Sequence, residues 1–183
     1  MIKILKILLL FVLLPIGCDD DDNPVVPISS ECEQGLIENP NYQEGEAHQL
    51  CVPESFVYYI SAQFSYYFIG SIYFDGNVIS DNDWIASFNE NVCVGAKLWG
   101  DCPEEDSHCE LVGSGKDDSE NTIGYLEDGD IPTFKVYIVS DGEYYDVSVF
   151  ESVDSFIHFN TQIFNLSLVA CSEGIPNSEG NCD

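Results

Sequence analysis

The strongest secondary-structure signal in this chain is Phe64-Ser65-Tyr66-Tyr67-Phe68-Ile69-Gly70-Ser71-Ile72-Tyr73-Phe74. Aromatic and β-branched residues dominate it, which is typical of β-strands. Asp75-Gly76-Asn77 follows directly and has the composition of a turn, because these residues tolerate the backbone angles that tight turns need. The sequence therefore predicts one extended strand that ends in a turn.

Further short strands with similar turns follow it. They are predicted at residues 84–88, 92–99, 134–139, 144–150 and 163–169. Asn89-Glu90-Asn91 and Ser140-Asp141-Gly142 are the turns between neighbouring strands. This spacing without helical periodicity predicts an all-β fold, an antiparallel β-sandwich of immunoglobulin-like or jelly-roll-like type. We expect the Tyr and Phe side chains to be packed in the sheets rather than stacked on a ligand.

The N-terminus has the pattern of a secretory signal. Lys3 and Lys6 precede an apolar run at residues 7–16, and Gly17 ends it. This pattern predicts a signal peptide at residues 1–17. The apolar run is shorter than the roughly 20 residues that span a bilayer.

Leu14-Pro15-Ile16-Gly17-Cys18 resembles the bacterial lipobox, in which a cysteine after a small residue is acylated before cleavage. The resemblance implies lipidation of Cys18 and attachment to outer-membrane lipid. Ordinary cleavage, with Cys18 lost or in a disulfide, is the alternative. Residues 19–22 are all Asp and resemble the surface-export signal of lipoproteins in the Bacteroidetes. The same run also fits a flexible spacer, because like charges extend a chain.

The composition is strongly acidic. The 183 residues include 33 acidic and 5 basic ones, for a formal net charge of −28, and no Arg occurs. Beyond the predicted signal only Lys97, Lys116 and Lys135 carry positive charge. Nucleic-acid binding requires Lys and Arg to displace counterions from phosphates, so this composition argues against that class. A hydrophobic content of 45% argues for a folded domain.

The cysteines fit an exported protein, since disulfides persist outside the cytoplasm. Spacing favours three local disulfides, although six thiols allow about fifteen pairings. The favoured pairs are Cys32 with Cys51, Cys102 with Cys109, and Cys171 with Cys182. Cys93 is left over and is predicted to be a buried strand thiol.

The chain divides into four predicted segments. They are a signal peptide at 1–17, an acidic linker and cysteine-tied cap at 18–53, a β-sandwich domain at 54–170 and a C-terminal tail at 171–183.

Three stretches resemble motifs of an accessory module found in exported proteins of Bacteroidetes and related bacteria. Residues 78–96 are similar to its acidic loop followed by "W-I-G-A-F-N-G" and "C-V-G-A". Residues 124–137 are similar to its "G-Y-x-x-x-G-D-I-P-T-F-K-I-Y", and residues 144–147 to its "Y-Y-D-A". The family occurs in adhesins, surface proteins and secreted enzymes. The resemblance, over about residues 60–168, implies a β-sandwich.

No catalytic motif is evident. The sequence has neither HExxH nor GxSxG, and Gly113-Ser114-Gly115-Lys116 lacks the earlier Gly and the following Ser or Thr of a phosphate loop. Paired carboxylates are expected by chance in so acidic a chain, so a glycosidase pair has no support from spacing. We therefore predict no enzymatic activity.

Calcium is the one ligand that the loop composition suggests, because Ca²⁺ binds six to eight oxygens that turns often supply. The candidate ligands are Asp81 and Asp83, with Asn82 between them, and Asp128 and Asp130. Asp117, Asp118 and Glu120 form another acidic cluster. The alternative is that these acids are simply solvated.

These patterns together predict a lipid-anchored protein of the cell outer membrane, exposed on the surface, that binds a surface glycan or protein and serves in adhesion. A structural subunit of a larger surface or secretion complex is the first alternative. A carbohydrate-active hydrolase is the second. Exposed aromatic side chains on one sheet face would favour glycan binding.

Overall fold

The computed structural model describes residues 32–33, 35–45, 48–103, 108–165 and 167–182. Within these residues the chain is almost entirely β-structure. The strands are β1 (Leu36–Glu38), β2 (Cys51–Pro53), β3 (Phe64–Ile69), β4 (Ile72–Phe74), β5 (Asn77–Val78), β6 (Trp84–Asn89), β7 (Val92–Leu98), β8 (Cys109–Ser114), β9 (Thr133–Ile138), β10 (Glu143–Ser148), β11 (Thr161–Phe164) and β12 (Leu168–Ala170). Single 3-10 turns occupy Glu54–Phe56, Trp99–Asp101 and Glu120–Thr122. No helix of the described residues is long and apolar enough to cross a membrane.

The strands form two facing sheets and a small separate one. The large sheet has the order β5-β4-β12-β10-β9-β6-β7, and the facing three-stranded sheet has the order β11-β3-β8. β1 pairs with β2 alone among the described strands. The predicted all-β sandwich is thus confirmed. Two pairings within it are parallel, β3 with β11 and β4 with β12, while the others are antiparallel.

The stretch at residues 64–74 is two strands rather than one. Its first half, β3, belongs to the three-stranded sheet, and its second half, β4, belongs to the large sheet. The chain crosses between the sheets at Gly70 and Ser71. β11 and β12 make the same crossing beside it, and the hydroxyls of Ser71 and Ser167 are 2.7 Å apart. The predicted single strand at residues 163–169 is therefore also divided.

The main hydrophobic core lies between the two sheets. Tyr67 and Ile69 project into it from β3 and meet Phe134 and Val136 of β9 and Phe164 of β11. The Tyr67 ring lies 5.4 Å from that of Phe134 and 6.2 Å from that of Phe164, measured between centroids. Burying large aromatic side chains supplies much of the hydrophobic stabilisation in such a core.

The segment that precedes the sandwich, described here as residues 35–45 and 48–58 and called the N-terminal cap, covers part of the outer face of the large sheet. Val52 and Phe56 are buried against Trp84, Ala86 and Tyr137. These three sheet residues alternate with Ile85 and Val136, which face the main core. The large sheet is thus apolar on both faces, and the cap is required to cover the outer one.

The sandwich closes where the edges of β7 and β8 meet. A Cβ atom added at Gly95 would lie 2.0 Å from the carbonyl oxygen of Val112, so only glycine allows this approach. The Ser87 hydroxyl donates to the same oxygen at 2.6 Å. Residue 95 therefore fixes how the two sheets join.

Three disulfides join Cys32 to Cys51, Cys102 to Cys109, and Cys171 to Cys182. These are the same pairs that spacing favoured. Cys93 is the free, buried cysteine of the described chain, and burial raises the pKa of its thiol to about 12. A thiol so far from ionisation is a poor nucleophile, which fits a structural role.

Candidate functional site

A row of aromatic side chains lies on the outer face of the three-stranded sheet. β3 alternates, so Tyr67 and Ile69 point into the core while Phe64, Tyr66 and Phe68 point away from it. These three outward residues are partly exposed. We call them, together with His158 and Phe159, the aromatic strip.

The rings of the strip contact one another in sequence. The centroids of Phe64 and Tyr66 are 5.2 Å apart, and those of Tyr66 and Phe68 are 6.4 Å apart. The planes are tilted by 58° and 52° rather than parallel. Such pairs are within the distance at which aromatic rings attract each other. They therefore form a continuous, ribbed apolar surface along β3.

The segment before β11 extends the strip at its Phe64 end. The backbone N–H of Phe64 donates to Nδ1 of His158 at 3.2 Å, and the N–H of Phe159 donates to the carbonyl of Phe64 at 2.8 Å. These bonds place the Phe159 ring 4.9 Å from the Phe64 ring and 3.8 Å from the His158 ring. Further apolar side chains, Ile157 and Ile163, are 56% and 52% exposed nearby in the sequence.

Phe159 has an unusual backbone. Its φ is +62°, in the left-handed region that a bulky residue rarely adopts, and its side chain is 68% exposed. The conformation costs about 1–2 kcal/mol for a residue other than glycine. A strained backbone that holds a largely exposed ring suggests a role outside folding.

The two predicted calcium ligands before β6, Asp81 and Asp83, have different environments. Asp83 is buried, and its carboxylate accepts backbone N–H groups of Ser80 at 2.7 Å and Val139 at 2.9 Å. Asp81 is exposed, and its backbone carbonyl accepts from the N–H of Gly100 at 2.8 Å. Asp83 thus holds the loop before β6 to the end of β9.

The other predicted pair, Asp128 and Asp130, also has one exposed carboxylate and one that is bonded to the backbone. The Asp130 carboxylate accepts the backbone N–H of Glu127 at 2.9 Å, whereas Asp128 is exposed. Among the described residues, three ligand atoms of His, Cys, Asp or Glu gather only at Asp75, Cys171 and Cys182, and these two cysteines form a disulfide. Calcium binding at Asp81, Asp83, Asp128 or Asp130 stays a prediction.

Asp117 is the acid with the most strongly changed ionisation. Backbone N–H groups of Ala62 and Ser119 and the Thr122 hydroxyl donate to its carboxylate, and these bonds lower its pKa to about 2. The Ser61 hydroxyl adds a further bond at 3.2 Å. A general acid for glycoside cleavage needs a raised pKa. The shift at Asp117 has the opposite sign and fits a residue that ties loops together.

A small cavity lies under the cap. Asn39, His48, Tyr58 and Trp84 contribute to its lining, and the Trp84 Nε1 atom is buried without a hydrogen-bond partner among the described residues. Its volume of about 20 Å³ is the size of one water molecule. This space is too small for a ligand.

The sequence did not identify the aromatic strip, although it contained the residues. Tyr and Phe occupy both faces of β3, so composition alone did not show which face is the core. Strict alternation from Phe64 to Ile69 was the available signal, because it places every second ring outside. Cys18 and residues 19–22 lie outside the described residues.

Comparisons of this chain with models of known protein families, with curated proteins and with solved structures found no match. The resemblance to the accessory module of exported proteins stays a prediction. The contacts of the chain's own residues are the basis for assigning a function.

Proposed function

We propose that this protein is a lipid-anchored, non-catalytic surface module that binds carbohydrate through the aromatic strip. The observation that carries the proposal is the ladder of Phe64, Tyr66 and Phe68 on one outer sheet face, continued by Phe159. Sugar rings present C–H faces that pack on aromatic rings. Their hydroxyls then remain free to bond to polar groups beside the strip.

The architecture suits such a role. A rigid two-sheet frame holds the strip, and the inward residues Tyr67 and Ile69 anchor β3 from behind. Preorganised rings lose little conformational freedom when a ligand binds. A row of partly exposed rings along one strand fits an extended chain better than a small molecule, which usually occupies a concave pocket.

Binding of a protein partner is the alternative, since aromatic residues also mark protein interfaces. The aromatic strip would then contact another subunit of a larger surface complex. The two possibilities differ in what the strip recognises, and a glycan array with the purified protein separates them.

The test of the strip uses single alanine variants. Tyr66→Ala and Phe159→Ala should each weaken glycan binding by about fivefold to tenfold, because aromatic contacts contribute roughly 1 kcal/mol each. Tyr42→Ala is the matched control, because Tyr42 is a 38% exposed aromatic residue on the cap. Isothermal titration calorimetry provides the affinities. An unchanged affinity in both strip variants would remove the strip as the site.

The anchor has its own test. Mass spectrometry of the native N-terminus should find acylated Cys18, and Cys18→Ala should release the protein from the membrane fraction. Replacing the four Asp residues at 19–22 by Ala should lower exposure to protease added to whole cells. A mature terminus that begins elsewhere without lipid would contradict the anchor.

A further inference from the structure

The surroundings of the aromatic strip carry information about its ligand. Two of the three lysines in the described chain are paired with acids, Lys116 with Glu127 at 3.0 Å and Lys135 with Asp146. The whole chain has 33 acidic residues against 5 basic ones. The protein as a whole therefore carries a large negative charge, which attracts cations and repels anions.

An acidic cleft adjoins the strip where β3 begins. It has a volume of about 650 Å³, and four acids and one lysine, Lys116, are in its lining together with Gln63 and Phe156. Gln63 directly precedes Phe64, and Phe156 lies two residues before His158, so the cleft is at the Phe64 end of the strip.

The carboxylates of this cleft differ in their availability. Asp117 is engaged by four hydrogen bonds from the protein, and Glu127 is paired with Lys116. Asp118 and Asp128 are exposed and bond to no other side chain of the described residues. These two acids can pair with a ligand cation without breaking a contact that the fold uses.

The opposite end of the strip is acidic as well. Glu110 on β8 is directly opposite Phe68 in the antiparallel register and is exposed. By the alternation of β8 it lies on the same outer face as Phe68, because its neighbour Leu111 is buried in the main core. The row of rings therefore runs between carboxylates at both ends.

We propose that the ligand of the aromatic strip is a glycan that carries free amino groups, such as a polymer of amino sugars without N-acetyl groups. This inference rests on the proposed carbohydrate-binding function. The sugar rings pack on Phe64, Tyr66 and Phe68, and the ammonium groups pair with Glu110 at one end and with Asp118 and Asp128 at the other. Uronic-acid and sulfated glycans are repelled by the same charges, which gives discrimination against them.

The test compares four oligosaccharides of equal length at mildly acidic pH, where sugar amines are protonated. They are a β-1,4-linked glucosamine hexamer, its fully N-acetylated form, a β-1,4-glucose hexamer and an oligouronate. The amine should bind about tenfold more tightly than the acetylated and glucose forms, and the oligouronate should not bind. This preference should shrink in high salt, because exposed ion pairs are screened.

Variants of the cleft acids test whether the preference for the amine hexamer comes from the cleft. Asp118→Asn with Asp128→Asn should lower affinity for the amine while leaving the acetylated hexamer unaffected. Glu173→Gln with Glu179→Gln is the control, since it removes the same charge from the C-terminal tail. An equal loss in the control overturns the inference, because overall charge alone would then attract the amine.

The outcomes separate this inference from the proposed function. Equal binding of the amine, acetylated and glucose hexamers, with a loss in Tyr66→Ala, overturns the inference and leaves carbohydrate binding supported. Binding of no oligosaccharide, or an affinity that Tyr66→Ala leaves unchanged, overturns the carbohydrate-binding function itself.

Discussion

Replacing Phe159 by glycine and by alanine should give an unusual order of stability, with glycine the more stable variant. Phe159 is 68% exposed, which leaves about a third of its surface buried. For a side chain of about 200 Å² this is roughly 65 Å², or about 1.6 kcal/mol of packing at 25 cal/mol per Å². Both variants lose this contribution equally.

The backbone then separates the two variants. At a φ of +62° alanine keeps the left-handed strain of about 1–2 kcal/mol, and glycine removes it. The glycine variant loses about 0.5–1 kcal/mol of unfolding free energy, because glycine gives the unfolded chain more conformational freedom. The glycine variant should therefore be more stable than the alanine variant by about 0.5–1 kcal/mol.

Thr161 provides the control. It is an exposed residue of β11 in ordinary extended conformation. Thr161→Ala should therefore be more stable than Thr161→Gly by about 0.5–1 kcal/mol. Urea unfolding at 25 °C with the disulfides intact gives the free energies of unfolding. The same order of the two variants at both positions would refute a left-handed Phe159. Binding should fall equally in both Phe159 variants, because both lose the ring.

Three further measurements test the loops and the core. The lowered pKa of Asp117 means that its contribution to the free energy of unfolding is present above about pH 4 and is lost as the pH falls towards 2. Asp117→Asn should therefore flatten the fall in unfolding free energy over that window, as measured by urea unfolding at each pH. The melting temperature should rise more with calcium than with sodium of equal ionic strength, and Asp81→Asn or Asp128→Asn should abolish the excess; equal rises would rule out a calcium site. Cys93 should resist iodoacetamide in the folded protein and react in denaturant, and rapid labelling of the folded state would show that the thiol is not buried.

The sequence predicted the fold class and many of the strands because alternation and turn chemistry are local properties. It missed β8, because the glycines in that stretch are signals of loops. In the structure they permit close packing instead. A Cβ atom at Gly113 would lie 2.8 Å from the Tyr67 ring, and one at Gly115 would lie 2.3 Å from the Phe156 ring. These contacts join residues distant in the chain, so local composition cannot show them.

The parallel pairings were beyond sequence reasoning for a related reason. β3 and β11 are separated by most of the domain, and nothing at Gly70 or Ser71 shows that the chain changes sheets there. The acids were identified as important, but their partners were not. Asp83 and Asp130 accept backbone N–H groups, and a carboxylate on a turn has the same composition whether it binds a metal or its own loop.

The disulfide between Cys32 and Cys51 determines how mechanical load would enter the protein. A pull on the chain from its N-terminal side reaches the described structure at Cys32 and passes through the sulfur–sulfur bond to Cys51. The chain between these two cysteines, which includes β1, is bypassed, and the tension continues from Cys51 along β2. The first non-covalent contacts under load are those that hold Val52 and Phe56 on the large sheet. Tension from a membrane anchor would therefore peel the cap away before it strained the opposite sheet, on which the aromatic strip lies.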